Sequence, residues 1–255
     1  MRKVLIVTAA LPALFFVPRL GLAQDADCKA IIDSALKAQG GADKVKAIKA
    51  TTSKWKGTFN AMGMDFDFTA EMWTQDASKM KMLLEFSANG MKIELAQASD
   101  GKKAWRTLNG QAVPVDDTDL DEFRAELYAK NIINLAGIAE DKNLKLSTLG
   151  ESKVGDTPVV GVQVTKKDKR DINLFFDKKS HLLLKAEYRA VDPITKMEVT
   201  REELYSTYKE LVPGVQMPSK ATWNHDGKKF IEYEITEMRS VEKHDDSIFA
   251  KPPMP

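Results

Sequence analysis

Apolar and polar side chains alternate at every position of residues 64–72, MDFDFTAEM. A period of two places successive side chains on opposite faces of an extended strand, so this stretch predicts a half-buried β-strand. The same alternation continues on either side, from Trp55 to Phe59, from Met80 to Phe86 and from Met91 to Leu95. Together these segments predict an antiparallel sheet with one apolar face and one wet face.

Tight turns separate the segments at three dipeptides, Asn89-Gly90, Asp100-Gly101 and Asn109-Gly110. These residue types tolerate the positive φ angles that two-residue hairpin loops require. Further alternating segments follow from residue 144 to residue 238. A sheet of this many strands must curl or split, because strands twist. We therefore expect a mainly β (α+β) fold, a curled antiparallel sheet or open half-barrel of about eleven to thirteen strands.

Two segments break the period of two. From Ala26 to Gln39 the apolar residues recur at helical spacing and two glycines follow, which predicts an N-terminal helix. Between Thr118 and Ala139 helical spacing returns after an acidic run. We interpret this insertion as one bent helix or two short helices, and as a movable lid over the hollow of the sheet. The predicted lid residues are Leu120, Phe123, Leu127, Ile132 and Leu135.

The first 23 residues have the three parts of a secretory signal: a basic start, an apolar run from Val4 to Val17, and small residues before Gln24. We expect cleavage between Ala23 and Gln24 and a periplasmic mature protein, residues 24–255, that forms a single domain. Cleavage removes three basic and no acidic residues and so changes the formal net charge from +1 to −2. A near-neutral chain with interspersed charges has no electrostatic reason to bind nucleic acid.

Recognised catalytic and metal-binding patterns do not occur in the sequence. The three histidines, His181, His225 and His244, are far apart, and a single cysteine, Cys28, excludes an intramolecular disulfide. We interpret the histidines as solvated residues of turns and strand ends. No glycine-rich phosphate loop and no nucleophile elbow occurs. The sequence therefore predicts a protein that is not an enzyme and has no metal site and no cofactor.

Methionine is concentrated in the first part of the predicted sheet, since six of the eleven methionines lie between Met62 and Met91. Methionine is flexible and polarisable, so it suits a surface that adapts to different apolar guests. The alternative is that these residues fill a dry core. We predict that they line a ligand cavity. The predicted cavity residues are Trp55, Phe59, Met64, Phe66, Phe68, Met72, Met80, Met82, Leu84, Ile93 and Leu95.

Four short segments carry a family resemblance: residues 35–48 (ALKAQGGADKVKAI), residues 99–105 (SDGKKAW), the strand from Leu182 to Arg189, and residues 245–249 (DDSIF). They resemble parts of the bacterial outer-membrane lipoprotein-sorting (Lol carrier-like) periplasmic proteins. The resemblance implies an open antiparallel half-barrel whose apolar hollow is closed by helices and which carries lipid-modified cargo. It also implies an arginine that holds the lid in place. Spacing leaves six candidates open: Arg106, Arg124, Arg170, Arg189, Arg201 and Arg239.

The combined features favour a non-catalytic periplasmic carrier or binder of acyl chains or acylated protein cargo, with transient membrane-protein donor and acceptor partners. One alternative is an envelope sensor or scaffold that binds a protein or a lipid through the same fold. The other alternative is a lipid- or glycan-modifying enzyme, which requires an acid, a base or a nucleophile clustered inside the hollow.

Overall fold

The computed structural model describes residues 20–61, 63–76 and 78–251. The predicted signal sequence lies outside the described residues up to position 19. The described chain begins with helix α1, Leu20–Gln39, which is followed by helix α2, Ala42–Ala47. Gly40 and Gly41 separate the two helices with φ angles of 122° and 105°, a conformation that glycine adopts readily. The predicted N-terminal helix therefore ends where the sequence indicates.

Thirteen strands make up the rest of the fold, with a helical insertion among them. The first six strands are β1 (Ala50–Ala61), β2 (Met64–Gln75), β3 (Lys79–Ala88), β4 (Met91–Ser99), β5 (Ala104–Leu108) and β6 (Gln111–Val113). The insertion consists of α3 (Asp117–Ile133) and α4 (Ala136–Glu140). The remaining strands are β7 (Lys145–Val154), β8 (Thr157–Thr165), β9 (Ile172–Asp177), β10 (Leu183–Val191), β11 (Glu198–Val212), β12 (Val215–His225) and β13 (Lys228–Val241). A short 3-10 helix, Asp246–Phe249, follows.

All thirteen strands belong to one antiparallel sheet in the order β6-β5-β4-β3-β2-β1-β13-β12-β11-β10-β9-β8-β7. Strands that are neighbours in the sheet are also consecutive in sequence, except β1 and β13, which pair at its centre. The sheet is open, with β6 and β7 at its edges. The predicted fold class is confirmed, and the thirteen strands are at the upper end of the expected eleven to thirteen. The hairpin of β5 and β6 has strands of five and three residues, too short to show a clear period of two.

The sheet is strongly curled, as the ion pairs of one side chain demonstrate. The carboxylate of Asp119 in α3 lies 3.5 Å from the guanidinium of Arg106 in β5 and 2.9 Å from Nζ of Lys196 in the β10–β11 turn. Seven to eight strand positions separate β5 from that turn, which is about 35 Å across a flat sheet. Two side chains cannot bridge that distance. The sheet is therefore curved into an open half-barrel, with α3 on the concave face.

The two faces of the half-barrel differ in polarity, as the alternation predicts. The convex face carries exposed ion pairs such as Lys54 with Glu237 at 2.9 Å, each of which contributes at most about 1 kcal/mol. The concave face carries the largest apolar cluster, which joins α1, α3 and α4 to the sheet. Its most deeply buried members include Cys28, Ile132, Leu135, Val162, Val164, Ile172 and Leu174.

Candidate binding site beneath helix α3

Helix α3 lies against the concave face, and local interactions set its ends. The side chain of Asp116 caps the first turn by accepting a hydrogen bond from the amide of Asp119 at 2.8 Å. At the other end, Asn134 caps the helix and Leu135, with a φ of 62°, separates α3 from α4. The insertion predicted at residues 118–139 is thus two helices.

The apolar side of α3 packs on β2 and β3. Phe123 and Leu127 form a buried cluster with Met72 and Met80. This contact covers one part of the concave face and removes it from solvent. All five predicted lid residues are at least half-buried: Leu120, Phe123, Leu127, Ile132 and Leu135.

Three carboxylates of α3 pair with bases of the sheet. Asp119, Glu122 and Glu126 are spaced by three and four residues, so they lie along one side of the helix. Glu122 accepts two hydrogen bonds from the guanidinium of Arg170, at 2.9 Å and 2.6 Å. Glu126 accepts one from Nη1 of Arg201 at 2.8 Å. Ion pairs therefore hold α3 to the sheet in addition to apolar packing.

Arg201 is a buried charge that exposes only 2% of its surface. Besides Glu126, it contacts His225, whose Nε2 accepts a hydrogen bond from Nε of Arg201 at 3.1 Å. Nδ1 of His225 lies 2.8 Å from a carboxylate oxygen of Asp192. Burial lowers the pKa of His225, and Asp192 offsets this only in part, so we assign a neutral imidazole with its proton on Nδ1. Burial opposes ionisation of Glu126, but Arg201 and Lys130 hold its carboxyl pKa below the usual value.

A second buried carboxylate, Glu203, lies on the same strand as Arg201. Tyr188 donates its hydroxyl hydrogen to Oε1 of Glu203, and Tyr205 donates to Oε2 at 2.5 Å. Burial and the charge of Glu203 raise the pKa of both tyrosines well above the usual value, so both hydroxyls remain protonated. Each oxygen of the carboxylate is therefore already engaged by a neutral donor.

A cavity of about 200 Å³ lies between the helices and the middle of the concave face. Aromatic, aliphatic and charged side chains all line it, among them Trp55, Tyr233, Met72, Lys130 and Glu203. The ring of Trp55 stacks on that of Tyr233 with centroids 4.3 Å apart. Trp55 and Met72 are the two predicted cavity residues that line it. The enclosed space lies over β1, β2 and β11–β13 and does not extend across β4, because α2 and α3 close over the centre of the sheet.

Most other predicted cavity residues continue the same face away from the helices. The register places Phe59 opposite Phe66 and Leu84 opposite Leu95, and the ring of Phe59 lies 5.1 Å from that of Phe86. Two predicted residues, Phe68 and Met80, are buried within the core clusters. The others, except the exposed Met64, are half-buried and, with Phe86, form a surface that we call the apolar wing: Phe59, Phe66, Met82, Leu84, Phe86, Ile93 and Leu95.

Met64 lies outside the enclosed cavity. Its side chain is 55% exposed, because it is the first residue of β2 and lies beside the turn that begins this strand. Met91 and Leu108, at the ends of the next two hairpins, are exposed by 65% and 43%. Met64 lies on the same face of β2 as Phe66 and Phe68, as the alternation predicts. Its burial, however, depends on how far along the strand it lies. These three residues mark the open end of the apolar wing.

Sequence reasoning missed the polar centre of the concave face. Arg201, Glu203 and Tyr205 alternate along β11 and all are buried, whereas alternating polar residues had indicated a wet face. One residue of the sequence could have indicated that this face of β11 is buried. Val199 is apolar, lies on the same face as Arg201, Glu203 and Tyr205, and is also buried. Glu126 of α3 was missed because its partner Arg201 is 75 residues away in sequence, so no local pattern joins the two.

Two histidines also differ from expectation. His225 and His244 expose only 8% each, whereas His181 lies exposed in a turn. The ring of His244 is hydrogen-bonded through Nε2 to the carbonyl of Thr51 at 3.0 Å. Across the described ranges, no group of three or more histidine, cysteine, aspartate or glutamate side chains is arranged to hold a metal ion. None of the helices in those ranges is long and apolar enough to cross a membrane.

An open curled sheet with helices on its concave face is the fold of LolA-like proteins. The chain is similar to a LolA superfamily protein from Nitrosomonas europaea, with a TM-score of 0.55 and 10% identity over 88% of this chain and 97% of that one. It is also similar to a DUF1329 family protein from Desulfovibrio piger, with a TM-score of 0.53 and 16% identity over 89% and 99%. The resemblance inferred from sequence is thus confirmed for the fold. No family model and no curated protein matches the sequence.

Proposed function

We propose that this protein is a periplasmic, non-catalytic carrier of acyl chains or acylated proteins. The proposal includes export by the signal sequence at residues 1–23 and a single mature domain, residues 24–255. The observation that carries it is the apolar wing, whose seven side chains are all uncharged and all only half-buried. A continuous apolar surface that the protein does not cover itself suits a removable apolar ligand. The LolA-like fold supports this function.

The energetics of acyl binding are sufficient for such a role. Burial of one methylene contributes about 0.8 kcal/mol, so a ten-carbon segment on the wing gains about 8 kcal/mol before ordering costs. A ligand held this strongly does not dissociate quickly by itself. Transfer therefore requires a competitor, which we propose to be the apolar side of α3 together with transient donor and acceptor proteins in the membranes.

Arg201 is the best of the six candidates for an arginine that holds the lid. It is buried beneath α3 and its hydrogen bond to Glu126 joins the sheet to the helix. Arg170 makes a comparable pair with Glu122 but exposes 33% of its side chain. In the proposed cycle an incoming acyl chain displaces α3 and separates these pairs. Phe123 and Leu127 return to the concave face when the chain leaves.

Adjacent leucines of β3 give a matched test of the wing. Leu84 belongs to the wing, whereas Leu83 is half-buried on the opposite face of the same strand. We expect Leu84→Asp to abolish binding of a fluorescent fatty-acid probe, because a carboxylate on the wing must be desolvated by the ligand. Leu83→Asp should bind the probe as the wild type does. Circular dichroism verifies that both variants are folded, and equal binding by both would refute the assignment.

A further inference from the structure

Lys130 differs from the other lysines that line the cavity. Lys49 and Lys79 pair with Glu140 and Asp246, at 3.2 Å and 2.7 Å. Lys130 has no carboxylate within 4.0 Å of its Nζ anywhere in the part of the chain that the structure describes. It belongs to the last turn of α3 and is nevertheless half-buried. The cavity thus contains a positive charge without an anionic partner in direct contact.

Two tryptophans of the sheet hold the ammonium group of Lys130. Its Nζ lies 5.6 Å from the ring centroid of Trp55 and 5.1 Å from that of Trp223. Cation–π attraction fixes the position of an ammonium group but leaves its three N–H donors without an acceptor oxygen. A partly buried donor that lacks an acceptor is costly, so this position favours a ligand that brings one.

The nearby protein carboxylates are already engaged. Glu203 receives both tyrosine hydroxyls, and Oε1 of Glu126 receives the guanidinium of Arg201. The Glu126 carboxylate attracts Lys130 only from more than 4.0 Å. A ligand anion is therefore the group that would complete the environment of Lys130.

Trp55 connects this charge to the apolar wing. It lines the cavity, and the next residues with the same parity on β1 are Gly57 and Phe59. The distance along β1 from Trp55 to its end at Ala61 is about 20 Å. An extended hydrocarbon chain can lie along that length while its head group reaches Lys130. Head and chain would then occupy two adjoining parts of one concave face.

We propose that the site binds an amphiphile with an anionic head group, the simplest being a long-chain carboxylate. The head group binds the ammonium of Lys130 between Trp55 and Trp223, and the chain lies on the apolar wing. This inference rests on the proposed function and specifies its ligand. A cavity of about 200 Å³ is somewhat larger than one that holds benzene, which is sufficient for a carboxylate and the first methylenes.

Dodecanoate and dodecanol have the same chain length and differ in the head group. A comparison of their affinities therefore measures the contribution of the anionic head group. Binding is measured by calorimetry near neutral pH with the wild type, Lys130→Met and the control Lys49→Met, which removes a cavity lysine that has its own carboxylate partner. We expect the wild type to prefer dodecanoate by about tenfold or more, as a charge-assisted hydrogen bond provides. The preference should disappear in Lys130→Met and remain in Lys49→Met. Lys130→Arg, which keeps the charge, should retain most of it.

Several outcomes would overturn the inference. Equal affinity of the wild type for both compounds refutes the anionic head-group site while leaving acyl binding intact. Retention of the preference in Lys130→Met refutes the role of this lysine, and Lys130→Gln replaces that variant if circular dichroism shows it to be unfolded. Binding of acetate as tightly as dodecanoate would indicate a site for free anions instead of amphiphiles. Failure to bind either dodecyl compound refutes the proposed function itself, and the head-group site with it.

Discussion

The ion pair between Glu126 and Arg201 is unequal in exposure, and this inequality predicts an unequal response to mutation. The side chain of Arg201 is 2% exposed, whereas that of Glu126 is 26% exposed. Arg201 is the more deeply buried partner, and its charge also compensates the buried carboxylate of Glu203, whose hydrogen-bond donors are neutral tyrosines. Arg201→Met leaves that carboxylate without a cation, whereas Glu126→Gln leaves Arg201 close to Glu203. We therefore expect removal of the base to destabilise the fold more than removal of the acid.

The magnitudes follow from burial. Loss of one partner of a buried pair costs about 3 to 5 kcal/mol, and the glutamine amide oxygen keeps one hydrogen bond, so we expect Glu126→Gln to cost about 3 kcal/mol. Arg201→Met loses the hydrogen bond to His225 and leaves the buried carboxylate of Glu203 without a compensating cation, so it should cost about 5 kcal/mol. Glu122→Gln is the matched control. Its partner Arg170 is 33% exposed and can be solvated, so about 1 kcal/mol is expected.

Denaturant unfolding provides the free energies of unfolding for this comparison. The transition is followed by tryptophan fluorescence, because the guanidinium of Arg201 lies 5.0 Å from the ring of Trp223, and by circular dichroism. The free energy of unfolding must decrease with denaturant concentration at the same slope in all variants for the comparison to be valid. The prediction is refuted if Arg201→Met is no more destabilising than Glu126→Gln, or if Glu126→Gln and Glu122→Gln are equivalent.

Three further predictions concern mobility, pH and export. Bound lipid should change hydrogen exchange in residues 118–139 more than in the strands around Met80 or Leu184, and equal protection with and without lipid would contradict a movable lid. The free energy of unfolding should fall as the pH decreases below about 6.5, because the lowered pKa of His225 leaves the folded protein unprotonated where the unfolded chain binds a proton. Denaturant titrations should show a smaller fall for His225→Gln, and an identical pH dependence would exclude His225 as the cause. N-terminal sequencing of the mature protein should begin near Gln24, whereas an intact Met1 would refute export.

Local pattern was sufficient to predict the strands and their faces. The alternation of residues 64–72 predicts which side chains point to the concave face, since one register shift would reverse all of them. The hairpin turns follow from residue type, because Asn89-Gly90 and Asn109-Gly110 have positive φ at both positions. These features depend only on neighbours in sequence, so a single sequence contains them.

The position of the cavity and the polar centre could not be predicted in the same way. They depend on how far the sheet curls, which brings Arg106 and Lys196 to one carboxylate. Curling also brings Arg201, one of the six candidate arginines, to α3, with which it pairs from a buried position. Met64 has the correct parity, but its exposure depends on the reach of the helices. The local periodicity of a sequence contains no information about such long-range distances.

The central pairing of β1 with β13 has a consequence for folding. It is the one ladder in the described sheet that does not join sequence neighbours, so β2–β6 and β7–β12 extend from it as two runs of local hairpins. Non-local pairings carry the entropy of closing a long loop, which makes this pairing the slow and dependent step of assembly. Trp55 of β1 and Tyr233 of β13 line the cavity from the two sides of this junction. An occupant of the cavity therefore binds only the joined halves and stabilises their association by mass action.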